Sequence, residues 1–98
     1  MTVEQAYVGM DLDTSAGSIV HALIEAIKED NEGVVVEDFR VYKKVKSPGK
    51  MVINRETVEE QLGADFEMDQ VHLVMSSCFG FITEWDEEQL IIEWEDKE

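Results

Sequence analysis

Basic residues are scarce in this 98-residue chain: 8 lysines and arginines stand against 23 aspartates and glutamates, a formal charge of -15 at neutral pH. A surface of that sign repels phosphate backbones and anionic lipid at long range, so neither nucleic acid nor a membrane surface is expected as a partner. What it leaves is a protein with a basic docking face, a cationic ligand, or a surface that is merely well solvated. Cysteine occurs once, at Cys78, so no intramolecular disulfide can form, and a lone thiol fits a reducing compartment. Met1 to Met10 has neither a basic n-region nor the apolar stretch of an export signal. No apolar run approaches the roughly 20 residues of a bilayer span. The expected location is the cytosol.

Equally sparse are the groups that carry chemistry. The only imidazoles are His21 and His72, and no CxxC, HExxH or calcium-loop pattern is present, so no metal site is expected. Neither GxGxxG nor GxxxxGK[ST] occurs, which removes the usual phosphate cradles. Glu56, Glu59 and Glu60 read as a solvated helix face, Glu56 favouring the dipole of the first turn. Cys78 is either an ordinary core or edge cysteine or one half of a dyad with His72 across a sheet. No cofactor is expected.

Apolar residues make up 44% of the chain and fall in patterned segments, enough for one domain over residues 1–98 with flexible ends at 1–5 and 95–98. Ala6 to Met10 reads as a first strand. Asp13, Thr14 and Ser15 offer N-caps for a helix whose buried face is Ala16, Ile19, Val20, Leu23, Ile24 and Ile27, ending near Asn31 or Gly33. Val34 to Val36 predicts a strand, and Phe39, Val41 and Val45 alternate with Arg40, Tyr42 and Lys44 in the next. Ser47-Pro48-Gly49 is a turn by composition, followed by Met51 and Ile53 and a second helix from Asn54 to Leu62 closed by Gly63. Strands are predicted at Val71 to Met75, Phe81 to Trp85 and Leu90 to Trp94. The order β-α-β-β-β-α-β-β-β implies an α+β fold with two helices packed on a mostly antiparallel sheet.

Charge is segregated along the chain. Six basic residues, Arg40, Lys43, Lys44, Lys46, Lys50 and Arg55, share a stretch without an acid, whereas eight acids lie between Glu84 and Glu98. The pattern gives either a dipolar surface that orients a partner or two ordinary solvated faces. Met75 to Phe81 interrupts an apolar strand with Ser76, Ser77 and a glycine, Gly80, between two phenylalanines. That predicts a bulge or close backbone approach, which either turns Phe79 outward as an aromatic anchor or buries both rings.

The stretch Met51-Val-Ile-Asn-Arg-Glu-Thr-Val-Glu-Glu-Gln-Leu-Gly63, followed by Phe66, Met68 and the Val71 to Gly80 segment, resembles the effector (coupling, or regulatory) proteins of soluble bacterial diiron monooxygenases. These are the small components of methane, phenol, toluene and alkene hydroxylase systems. The likeness runs from Val8 to Trp94, through the Ile19 to Ile27 helix, the Asp30-Asn31 turn and the closing Ile-Ile-Glu-Trp, and is most specific at Arg55 to Gly63. It implies an acidic, cofactor-free, non-catalytic α+β protein that binds the hydroxylase component above its diiron centre. It implies further that the protein tunes oxygen activation, substrate access and coupling to NADH consumption in a system that includes a reductase or ferredoxin.

By position, the hydroxylase-facing region would be Ser76, Ser77, Cys78, Phe79 and Gly80, with Asp30, Asn31, Asn54 and Arg55 as additions. Phe79→Ala or Gly80→Asp is expected to leave the fold largely intact and weaken the effector. Only about five residues precede the first strand, closer to the phenol, toluene or alkene type than to the long-tailed methane type. The competing function is a stand-alone acidic α+β interaction or ligand-binding module. Genes for a diiron hydroxylase, reductase and ferredoxin beside this one would separate the two.

Overall fold

Alternation along each strand decides which face is buried. In the computed structural model, which describes residues 7–94, β1 (Tyr7–Asp13) turns Val8, Met10 and Leu12 fully inward and leaves both its ends exposed. The expected flexible ends, and Ala6 of the expected first strand, lie outside the described residues. A single 3-10 turn (Thr14–Ala16) follows, and then α1 (Ser18–Asp30). Asp13 caps the 3-10 turn rather than α1, its carboxylate accepting the Ser15 N–H at 2.9 Å, and Gly17 at φ 67° redirects the chain into the helix. The buried stripe of α1 is Val20, Leu23, Ile24 and Ile27, closed up by Ala22 and Ala26.

Asn31 ends α1 in an extended conformation, and the left-handed backbone falls on Gly33. β2 (Val35–Asp38) and β3 (Tyr42–Pro48) follow, pairing antiparallel. Their connection holds Phe39 and Val41, two residues of the alternating pattern that predicts a strand. Arg40 adopts φ 81° there, its N–H bonded to Asp38, and Val41 is 67% exposed. Next come β4 (Lys50–Asn54), α2 (Arg55–Leu62), α3 (Gln70–Val74), β5 (Met75–Phe79), β6 (Phe81–Trp85) and β7 (Gln89–Glu93). Gly63 closes α2 in the left-handed region, donating to the Glu59 carbonyl at 2.8 Å.

The expected strand from Val71 is instead the short helix α3, and the strand begins at Met75. Val71 and Val74 are buried three residues apart while Leu73 is 80% exposed, which is helical spacing. Gln70 reaches back to accept the Glu67 N–H at 2.9 Å, tying down the first turn as a capping box does.

The strands form two sheets where one was expected, with orders β2-β3-β1-β5 and β4-β7-β6, every described pairing being antiparallel. The chain passes from one sheet to the other at Gly49 and again at Gly80, both at positive φ. One cluster of buried side chains joins both sheets to α1 and α2, with Phe66 its largest fully buried member. No helix among the described residues is long and apolar enough to cross a membrane.

Candidate docking surface

The outer face of the four-stranded sheet is built from the alternate residues that the core does not take. Asp11 on β1 lies between Lys44 of β3 and Ser77 of β5. Its carboxylate uses both oxygens: Oδ1 receives Lys44 Nζ at 2.9 Å and Oδ2 receives Ser77 Oγ at 2.7 Å. Lys44 Nζ also stands 4.7 Å from the centroid of the Phe79 ring. Phe79, opposite Gly9, is therefore half-buried on the outer face beneath a cation that an ion pair holds in place. One row further, Lys46 pairs with Glu37 at 3.5 Å and lies 5.2 Å from the Tyr7 ring.

The irregularity expected at the glycine lies earlier. Between Asp11 and Leu12 the register with β5 jumps from Ser77 to Met75, so Ser76 is the extra residue, with its hydroxyl 3.4 Å from the Asp11 carbonyl. Phe79 faces outward by plain alternation from Ser77. Gly80 serves the crossing between sheets: at φ 111°, a Cβ there would lie 2.8 Å from both Val8 Cγ1 and Ile92 Cγ2. Gly80→Asp is therefore expected to strain the fold rather than leave it largely intact, because the backbone angle disfavours any side chain and a Cβ there would crowd Val8 and Ile92.

Cys78 pairs with Met10 and packs against the core, and burial pushes its thiol up from the ordinary value. His72 sits on α3, stacked 4.3 Å from Trp85, and no hydrogen bond joins it to Cys78 among the described residues. The two do not form the dyad. No group of three or more His, Cys, Asp or Glu among the described residues could hold a metal ion.

Asp30, Asn31, Asn54 and Arg55 gather where α1 ends and α2 begins. The Asn31 amide donates to the carbonyls of Ile27 (2.9 Å) and Val52 (2.8 Å) and accepts the Val52 N–H (2.9 Å), fastening the end of α1 to the outer edge of β4. Asn54 occupies the N-cap position of α2, but its side chain donates to Asp30 at 2.9 Å. Arg55 ties α2 to the β6–β7 turn, its backbone N–H bonding the Glu88 carbonyl at 2.9 Å and its guanidinium the Glu88 carboxylate at 3.1 Å. Beside it opens a groove of about 560 Å³ rimmed by Glu67, Asp69, Asp86 and Glu87, a charge balance that disfavours an anion. No described hydrogen bond or ion pair links these four residues to Ser76–Gly80.

Sequence reasoning missed Asp11 and met Lys44 only as one of six clustered basic residues. The available signal was a charged residue at the strand position whose neighbours, Met10 and Leu12, go inward.

Comparison with known proteins gives these features a setting. The chain is 29% identical over 72 residues, 74% of its length and 79% of the relative's, to the stimulatory component DmpM of phenol 2-monooxygenase from Pseudomonas sp. strain CF600. Its fold matches a chain in a solved phenol hydroxylase–regulatory protein complex with a TM-score of 0.81 and 27% identity, over 92% of this chain and all of the other. The soluble methane monooxygenase regulatory protein B shares the fold at a TM-score of 0.65 and 22% identity, over 97% of this chain and 70% of that one. The family model described as MmoB/DmpM matches residues 6–93, nearly the whole sequence, and the chain belongs to that family.

Proposed function

We propose that this protein is a non-catalytic regulatory component of a multicomponent monooxygenase that acts by binding the hydroxylase component. The observation that carries this is the match, over 92% of the chain, to a solved structure of a phenol hydroxylase–regulatory protein complex. The surface described above suits such a role: it offers ordered polar and aromatic contact groups. Docking is placed on the outer face of β5, with Ser76, Ser77 and Phe79 making contact and Cys78 and Gly80 supporting them from below. Asp30, Asn31, Asn54 and Arg55 shape a second, separate region where α1 ends and α2 begins.

Such a protein works as a ligand. It changes its partner only to the extent that it binds one hydroxylase conformation better than another, and that differential affinity shifts oxygen activation, substrate access and the coupling of NADH consumption to product. A reductase or ferredoxin would belong to the same system without needing to touch this chain, and the single thiol fits the cytosol. The test is to mix the protein with diiron hydroxylases and measure product formed per reductant consumed. A saturable rise near one equivalent per active site is expected. No change in coupling or rate with any phenol-, toluene- or alkene-type hydroxylase would overturn the proposal.

A further inference from the structure

Beyond Gly80 the outer face continues across the seam between the sheets. Tyr7 (40% exposed), Phe81 (51%) and Trp94 (40%) meet there. The cluster is fixed from within: the Trp94 indole N–H donates to the Tyr7 carbonyl at 3.1 Å, and the Phe81 ring stands edge-on to Trp94 at 5.8 Å. Tyr7 also shares the outer face with Phe79, since Gly9, two residues on, pairs with Phe79. Ordered exposed aromatics of this kind lose little entropy on being covered, the property that marks contact hot spots. β6 is the outermost strand of its sheet. Its exposed flank carries Glu84, and Glu93 lies opposite Phe81.

We infer that Tyr7, Phe81 and Trp94 are the anchoring residues of the hydroxylase-docking surface, inserting into an apolar depression on the partner whose rim bears lysine or arginine. The inference rests on the proposed function and adds to it the residues that dominate affinity and the chemistry of the opposing surface. Continuity with Phe79 across Gly80 argues for one surface. Lys44 and Lys46 on the same face are each held in ion pairs with Asp11 and Glu37, whereas Glu84 and Glu93 beside the aromatic cluster bond, among the described residues, only the neutral side chains of Gln89 and Thr83 and call for a basic rim.

The experiment is a binding titration by isothermal calorimetry against the hydroxylase that responds in the coupling assay. Phe81→Ala and Trp94→Ala are each expected to weaken binding at least about thirtyfold, the scale of an aromatic hot spot. Trp94→Phe keeps an aromatic ring should Trp94→Ala misfold, and is expected to lose about fivefold. Leu73→Ala and Phe39→Ala remove exposed apolar side chains elsewhere on the molecule and should stay within about twofold of the parent. The association rate, by stopped flow, should fall as salt rises. If the parent binds and Phe81→Ala and Trp94→Phe bind as tightly, the inference is wrong and the proposed function stands. A control variant as weak as Phe81→Ala, or an association rate that rises with salt, also overturns it. If the parent binds no hydroxylase, both fail together.

Discussion

Replacing Gly80 with alanine sets a methyl group 2.8 Å from Val8 Cγ1 and Ile92 Cγ2, two atoms on fully buried side chains from different sheets. Two costs add. A φ of 111° lies outside the regions that L-residues occupy readily, a strain of about 1–3 kcal/mol. Crowding a packed core by one methyl adds about 1–3 kcal/mol, because Val8 and Ile92 cannot move without disturbing the strands that carry them. Gly63→Ala is the internal reference: its φ is 76° and nothing lies within 4 Å of the added Cβ, so only the left-handed strain of about 1–2 kcal/mol applies. In thermal unfolding followed by circular dichroism, with about 4–8 °C per kcal/mol for a domain of this size, Gly80→Ala should melt at least about 10 °C below the parent. Gly63→Ala should fall clearly between the two. Equal melting temperatures for the two alanine variants would show that the crossing between the sheets is not a tight point.

Three further outcomes are expected. Phe79→Ala should retain the parent circular dichroism spectrum and reduce the hydroxylase coupling effect several-fold, as measured by product per reductant; unchanged coupling would remove Phe79 from the docking surface. Asn31→Ala should cost about 2–3 kcal/mol in urea unfolding, since it leaves the Val52 N–H without its partner; a loss below about 0.5 kcal/mol would refute that role. Asp86 accepts the backbone N–H groups of Glu88 and Gln89, which hold its carboxyl below the ordinary aspartate range. Its folded pKa being depressed, the stability it contributes is present above the ordinary aspartate value and lost as pH falls through the folded one. Asp86→Asn should therefore flatten the acid limb of the stability curve, and urea midpoints with the same pH slope as the parent would contradict the assignment.

The parts of this fold that were legible in the sequence are those fixed by local pattern. α1 could be read because its apolar stripe repeats over more than three turns, and α2 because Gly63 closes it where a left-handed residue was needed. α3 was not, because Val71, Leu73, Val74 and Met75 form too short an apolar run to distinguish period two from period 3.6; only Gln70 behind Glu67 marked the turn. Division into two sheets was hidden for another reason. β4 chooses β7 over its neighbour β3, a pairing of Lys50 with Glu93 that no local signal encodes. Among the candidate site residues, Phe79 and its outward direction were within reach of alternation. The crossing at Gly80 and the Arg55–Glu88 tie depend on contacts remote in sequence.

A sheet that ends in solvent invites another strand, and each of the two sheets here ends twice. At β4 the invitation is withdrawn by a side chain: the amide of Asn31 copies the donor and acceptor of a peptide unit and occupies the outer positions of Val52. At β5 the extra residue Ser76 breaks the regular spacing that an incoming backbone would have to match. Removing the Asn31 amide would therefore do more than loosen a helix end, because it would uncover a template for self-assembly along β4. With the rings of Tyr7, Phe81 and Trp94 already exposed to water, an uncovered strand edge would add a second sticky surface, and blocking it limits stray assembly.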